Sequence, residues 1–308
     1  MNLSHRQLRQ FIAAASLPSL SRAAEACHLS QPAFSRALQA LESTLGVRLF
    51  DRGTRHLRLT ADGERLLPLA RRLLDDLDEL AREARAPRGG LGGTVTLAVG
   101  TAFGSSVLPL ALQRFTARHP QVSVHVIDDN SRGITERVQS GAVDLGIGSV
   151  VGPAAALQGL RLLSAPLGVI AAPALHGLGP RATLAQLRRL PLVKEAEDTS
   201  VMTLLREAGS PWVMPMQHGV EVSSLAIQLA LVAAGVGASI LSALGASHPM
   251  ARGLLFVPLR PAIVRHVQLL QRRDRALRPA AQALADGLVE ALAEAKLHPR
   301  VQVARFGR

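Results

Sequence analysis

Cysteine is almost absent from this chain. Cys27 is the only one among 308 residues, which excludes an intrachain disulfide and a cysteine-based zinc cluster. The ten histidines are scattered, without the paired spacing of metal ligands. Lysine is nearly as scarce: Lys194 and Lys296 are the only two, so arginine carries the formal net charge of +12. That excess favours polyanionic partners, although an arginine-rich composition can equally reflect a biased genome. No apolar run of signal-peptide type follows Met1-Asn2-Leu3-Ser4-His5-Arg6, and a single thiol fits a reducing cytoplasm. One uncharged stretch, residues 225–246, is long enough to span a bilayer. It contains Gln228 and is split by Gly235-Val236-Gly237, so a buried helix, a turn and a buried strand are expected instead.

Enzyme signatures are missing too. Gly100-Thr101-Ala102-Phe103-Gly104-Ser105 has no lysine to complete a P-loop. Gly235-Val236-Gly237 is a lone GxG behind a helix, and Gly148-Ser149-Val150-Val151-Gly152 is not a nucleophile elbow. No catalytic residue, metal or cofactor is therefore expected.

The first sixty residues carry the strongest pattern. Leu8, Phe11, Ile12 and Ala15 mark one helix. Ser19 caps a second through Ala23, Ala24 and Ala26, small residues that let helices approach. Cys27-His28-Leu29 turns the chain, with Cys27 read as a structural thiol. Ser30 caps a third helix, and Pro32 suits its first turn. Phe34, Leu38, Leu41 and Leu45 give that helix a packing stripe. Gln31, Ser35, Arg36 and Gln39 fall on its other faces, and such side chains reach base edges and phosphates. A helix, a short turn and a polar-faced helix make a helix-turn-helix candidate. Residues 46–60 alternate about Gly53 as a hairpin with a basic tip, Arg52, Arg55 and His56, placed like a wing on a phosphate backbone.

Thr60 caps a long helix running to about residue 85, although Gly63 stands where a capping box wants glutamate. Leu66, Ala70, Leu73, Leu77, Leu80 and Ala84 alternate spacings of four and three. That heptad seam is read as a dimer interface, with packing on the helix's own domain as the alternative. Residues 86–93, rich in glycine and proline, read as a linker.

Beyond the linker the texture becomes strand and helix in alternation. Strands are expected at 94–99, 122–127 and 143–148, and helices at 107–117 and 134–140, a pattern of a parallel sheet covered on both faces. Further strands at 167–172, 192–194, 219–222, 238–241, 254–257 and 267–271, with helices at 202–207, 225–234 and 279–295, exceed one small sheet. Two α/β lobes with a cleft between them follow. No repeats or low-complexity tracts occur. Thr101, Ala102, Phe103 and Ser105 follow a strand and open a helix, where free N–H groups and hydroxyls can hold an anion. Ser131, Ser149, Thr199, Ser200 and Ser223 stand at other strand or helix ends that should face the cleft, with ordinary helix capping as the alternative. Arg265, Arg272, Arg273, Arg275 and Arg278 form a second basic cluster, read as a solvated edge, and Trp212 reads as lobe packing.

These residues resemble the LysR-type transcriptional regulators of bacteria. The resemblance rests on Leu8-Arg9-Gln10-Phe11, Ser21-Arg22-Ala23-Ala24-Glu25, Leu29-Ser30-Gln31-Pro32-Ala33-Phe34-Ser35-Arg36, Leu41-Glu42, Leu45-Gly46-Val47-Arg48-Leu49-Phe50-Asp51-Arg52 and Leu59-Thr60-Ala61-Asp62-Gly63, in order and spacing. It is weaker afterwards, resting on Asp144-Leu145-Gly146-Ile147-Gly148 and Val232-Ala233-Ala234-Gly235-Val236-Gly237. The resemblance implies an α+β multidomain protein: a winged helix-turn-helix at 1–60, a linker and dimerisation helix at 61–86, a hinge at 87–93 and a two-lobed, periplasmic-binding-protein-like α/β effector domain at 94–308. Lobe I would take about 94–165 and 267–300, and lobe II about 166–266. It places Gln31, Pro32, Ser35 and Arg36 in the major groove, and Ser30, Arg52 and Arg55 on the backbone or minor groove. The partners it implies are double-stranded DNA at inverted repeats, a small-molecule effector and further copies of the chain, as a homodimer or homotetramer. No membrane is involved in that reading. An α/β small-molecule-binding protein or enzyme with an accessory winged helix is the competing expectation.

Overall fold

The computed structural model describes residues 3–17, 19–52, 57–83, 91–174, 178–196, 199–209 and 219–306. The chain forms two compact units, Met1–Thr94 with Ser140–Ala142, and Val95–Gln139 with Val143–Arg308.

The first unit opens with helix α1 (His5–Ser16), whose N-cap Ser4 and Gln7 satisfy each other's backbone amides as a capping box. Helix α2 (Leu20–Ala26) is capped by Ser19. His28 takes a left-handed conformation, φ 55°, and redirects the chain into α3 (Gln31–Leu45). Gly46, at φ 72°, stops α3. Strands β1 (Phe50–Arg52) and β2 (Leu57–Leu59) pair antiparallel as the wing. Phe34 and Leu41 of α3 are buried with Leu8 and Phe11 of α1 and Leu49 and Phe50 of the wing. Each such side chain contributes about 1.5–3 kcal/mol by leaving water. Phe11 and Phe50 meet edge to face at 5.7 Å, which ties α1 to the wing.

Helix α4 (Ala61–Glu83) starts against the wing. Thr60 Oγ1 accepts from Gly63 N at 3.0 Å and donates to Arg48 O at 2.6 Å. A Cβ on Gly63 would stand 2.2 Å from the Leu49 carbonyl oxygen, which itself accepts from Thr60 N. The missing glutamate of the capping box is thus a steric requirement: no side chain fits between α4 and the wing. Gly63→Ala is expected to destabilise this unit by about 1–3 kcal/mol through overpacking. Thermal unfolding followed by circular dichroism checks this, and an unshifted transition would contradict it.

The second unit begins with β3 (Gly93–Val99), α5 (Thr101–Ser106), α6 (Leu108–Arg118), β4 (Val122–Asp128), α7 (Ser131–Ser140) and β5 (Leu145–Gly148). Strands β3 and β5 pair in parallel, as the alternation predicts. The long β6 (Leu157–Ala171) follows, then α8 (Leu184–Leu187), β7 (Val193–Glu195), α9 (Ser200–Glu207), β8 (Val220–Val222), α10 (Leu225–Ala233), β9 (Ser239–Ser242), β10 (Leu255–Pro258), β11 (Val264–Arg272), α11 (Pro279–Glu294) and β12 (Gln302–Val303). The uncharged stretch 225–246 divides as expected, with Gly235 at φ 77° in the turn. No helix among the described residues is long and apolar enough to cross a membrane.

An all-parallel sheet is not what forms. The large sheet runs β10-β6-β11-β5-β3-β4, with β9 and β12 also on β6. Strand β11 is antiparallel to both β5 and β6, and β9, β10 and β12 are antiparallel to β6. An antiparallel return needs no crossover helix, so the strand–helix alternation of residues 94–148 is no guide to it. Strand β6 serves two cores. Leu157 packs with Ile134, Val138 and Leu270, whereas Leu167, Val169 and Ala171 pack with Leu187, Leu205 and Ile240. Residues near Pro166, where β6 and β11 meet at Val264, connect the two.

Candidate nucleic-acid interface and ligand cleft

Helix α3 separates its faces cleanly. Phe34, Leu38 and Leu41 are buried, while Gln31, Pro32, Arg36 and Gln39 are exposed and Ser35 is half-buried. Ser30 accepts from Ala33 N at 3.4 Å, so its hydroxyl serves as the N-cap. Ser21 Oγ donates to Gln31 Oε1 at 3.2 Å, fixing the Gln31 side chain against α2. Glu42 fixes the other end. Its carboxylate accepts from Leu49 N at 2.9 Å and Phe50 N at 3.2 Å, so α3 and the wing move as one body. The backbone of Arg52 lies in β1. Arg55 and His56 lie outside the described residues, as does the side chain of Arg52. Cys27 is half-buried against the first unit's core, and burial pushes its thiol up, with Arg6 and Arg9 opposing.

The seam on α4 divides in two. Leu66 and Ala70 pack into the first unit's own core, together with Leu67 and Leu74. Leu73, Leu77 and Leu80 are exposed, and Leu69 joins them on that side. The sequence treats all these positions alike, because nothing in a heptad says which turns already have a partner within the chain. The side chain of Ala84 and most of the hinge, residues 84–90, lie outside the described residues.

In the second unit a cavity of about 320 Å³ opens at the carboxyl ends of β3, β4 and β5. Thr101, Ala102, Phe103 and Ser131 line it from one side. Glu195, Thr199, Ser200 and Ser223 line it from the elements built after β6. Two of the residues proposed from sequence stand apart. Ser105 does not line the cavity, and its hydroxyl donates to Thr101 O at 2.8 Å within α5. Ser149 sits behind the wall: its hydroxyl donates to His266 O at 2.8 Å and accepts from Arg265 Nε at 2.9 Å. Thr199 also caps α9, so capping and cleft position coincide there, whereas at α10 Ser224 is the cap and its neighbour Ser223 lines the cavity.

The sequence reading missed the charged lining. Thr101 Oγ1 donates to the Asp128 carboxylate at 2.9 Å. Asp129 accepts from Arg137 Nε at 2.7 Å and from Asn130 N at 2.8 Å. Arg265 lines the cavity from β11, and burial pushes its guanidinium below the usual arginine range while Glu195 pulls it back. The available signal is an arginine two residues before Val267, on the same face of a strand. Starting that strand at residue 267 left Arg265 in a loop.

The basic cluster is mixed: Arg273 is exposed and Arg272 pairs locally with a largely exposed Asp274, as a solvated edge would, whereas Arg265 lines the cavity and Arg278 is mostly buried. Arg272 pairs with Asp274 at 2.5 Å, Arg273 Nη2 donates to Leu157 O at 3.3 Å, and Arg278 Nη2 donates to Asp144 at 2.9 Å. These arginines hold loops and strand ends within the unit. Trp212 lies outside the described residues. Among the described residues no group of three His, Cys, Asp or Glu side chains can hold a metal.

Residues 5–64 match the family model of bacterial regulatory helix-turn-helix proteins of the lysR family, and residues 88–293 match the LysR substrate binding domain. The SDS degradation transcriptional activation protein of Pseudomonas sp. (strain ATCC 19151) is 35% identical over 292 residues, 91% of this chain and 93% of that protein. The uncharacterized HTH-type transcriptional regulator YfeR of Shigella flexneri is 31% identical over 290 residues, 93% of each. Among solved structures, a full-length OxyR point variant from Pseudomonas aeruginosa is similar with a TM-score of 0.70 at 24% identity, over 100% of both chains. Full-length CbnR complexed with its target DNA gives 0.64 at 24% identity, over 94% of this chain and 100% of that one.

Proposed function

Because the chain belongs to the lysR family of bacterial transcriptional regulators, with a DNA-binding helix-turn-helix and an effector-binding domain, we propose that it reads an inverted-repeat promoter site as a homodimer, or as a tetramer built of two such dimers, in the cytoplasm. Its effector binds in the cleft lined by Thr101, Ser131, Thr199, Ser200 and Ser223. The observation that carries the reading is the exposed face of α3. Gln31, Pro32, Arg36 and Gln39 are free to enter a major groove while the opposite face is core. Glutamine can pair bidentately with adenine and arginine with guanine, and the wing arginines suit the flanking backbone. Thiol-based sensing has no side chain to use beyond the first unit, since Cys27 is the only cysteine. An effector that binds by contact is therefore the consistent choice.

Gel shifts on the DNA upstream of the protein's own gene test this. Arg36→Ala is expected to lower the preference for operator over random DNA roughly ten- to hundredfold, the loss of one good base contact. Folding should be intact, because Arg36 is exposed. Affinity should also fall steeply between low and moderate salt, as phosphate contacts release counterions. An unchanged operator preference in Arg36→Ala would remove this helix from base reading.

A further inference from the structure

The lining of the cleft says more about its ligand than its hydroxyls do. Arg265 is the only cationic side chain among the described residues that line the cavity. Its polar contacts are two hydroxyls: Nε donates to Ser149 Oγ at 2.9 Å, and Nη2 reaches Ser131 Oγ at 3.5 Å, the limit of a hydrogen bond. No carboxylate among the described residues lies within ion-pair distance of it. The other arginines of its stretch differ, since Arg272 and Arg278 both have carboxylate partners. A partly buried guanidinium held through Nε, with no contacting carboxylate on its Nη groups among the described residues, is a fork prepared for a planar anion. Ser149 sets the fork's direction, because it is itself anchored on His266 O.

The rest of the lining has the opposite sign. Asp128, Asp129 and Glu195 all face the same cavity. Asp129 is neutralised by Arg137, and Asp128 is met there by the Thr101 hydroxyl. A ligand with two anionic groups would bring one of them against these carboxylates, whereas a neutral ligand would leave Arg265 unmatched. Resting on the reading that the effector occupies this cleft, we infer that the effector is a small monocarboxylate whose carboxylate seats on Arg265 and which carries no second anionic group. An ammonium on the same molecule is compatible, since acidic side chains line the same cavity.

The experiment is calorimetric titration and thermal-shift screening of the full chain. The probes are aliphatic and aromatic monocarboxylates, α-amino acids, matched dicarboxylates, phosphate esters and the corresponding primary amides. The best binders should be monocarboxylates, with or without an amino group. Arg265→Gln should weaken them roughly ten- to hundredfold, and Arg265→Lys, which keeps charge but loses the fork, by less. Ligand-free melting curves establish that each variant folds, and Arg265→Lys carries the test should Arg265→Gln not fold. Ser223→Trp, at an exposed position on the cavity wall, should abolish binding by filling the cleft. Best binding by dicarboxylates, phosphate esters or amides, or binding by none of the monocarboxylates, overturns the inference. Unchanged affinity in Arg265→Gln with loss in Ser223→Trp overturns the anchor and keeps the cleft. Binding that survives both changes overturns the cleft as the effector site.

Discussion

Leu73→Glu combined with Leu77→Glu is expected to halve the mass of the protein in solution and to weaken operator binding by roughly two to four orders of magnitude. Within one chain Leu73, Leu77 and Leu80 are 52%, 42% and 67% exposed, on a helix whose earlier seam positions, Leu66 and Ala70, are already packed. Three leucines at heptad spacing in that state form a seam awaiting a second copy of the same helix. Glutamates at two of the three positions would set like charges across the seam and remove its apolar contact. A dimer binds the second half of an inverted repeat at a high effective concentration, and a monomer loses that gain of roughly 10²–10⁴ without losing any contact to its own half-site. Light scattering reads the mass, and gel shifts on full and half sites read the coupling. Far-UV circular dichroism should be unchanged, because neither leucine supports the fold of its own chain. A parental mass in the double variant would show that α4 is not the interface.

The contrast with Leu66 and Ala70 shows where sequence pattern stops. Spacing specifies which residues share a helix face, but not how many faces the tertiary structure uses. Sequence reading succeeded where the determinants are local. Ser30, Pro32 and Phe34 fix the start and the buried face of α3 within five residues, and His28 and Gly46 bound it. Resemblance then supplied what α3 does. Gly63 was visible as an imperfect cap, yet its cause, the Leu49 carbonyl, appears only once the wing has folded back. The cleft was legible as a set of strand ends with hydroxyls. Its charges were not, since Arg265 finds Ser149 across 116 residues and Arg278 finds Asp144 across 134. No periodicity encodes a pairing of that length. It depends on β11 returning antiparallel between β5 and β6, which the alternation of strands and helices did not announce.

Asp144→Ala is the substitution expected to damage the second unit most. Asp144 immediately precedes β5, and Arg278 immediately precedes α11. Arg278 Nη2 donates to both carboxylate oxygens at 2.9 Å, and Oδ2 also accepts from Thr96 N at 2.9 Å. The three residues lie on β3, at the start of β5 and at the start of α11, so one carboxylate ties together elements far apart in the chain. The Arg278 and Asp144 side chains are only 19% and 11% exposed. Removing the carboxylate takes the ion-pair partner from a poorly hydrated guanidinium and the acceptor from the Thr96 amide, at a cost of about 3 kcal/mol. Asp144→Asn should cost less, because an amide oxygen can still accept from Thr96 N. Arg278→Ala leaves the mirror-image defect. The double variant Asp144→Ala, Arg278→Ala should therefore lose clearly less than the sum of the single changes, by about 1–2 kcal/mol of coupling. The exposed pair Arg118–Glu290, at 60% and 54%, supplies the comparison, and Arg118→Ala should shift stability by about 0.5 kcal/mol or less. Urea unfolding followed by far-UV circular dichroism reports these changes. If Asp144→Ala and Arg118→Ala moved the midpoint equally, the burial of the first pair would have no energetic consequence, and the tie between β3, β5 and α11 would have to be sought in their apolar contacts.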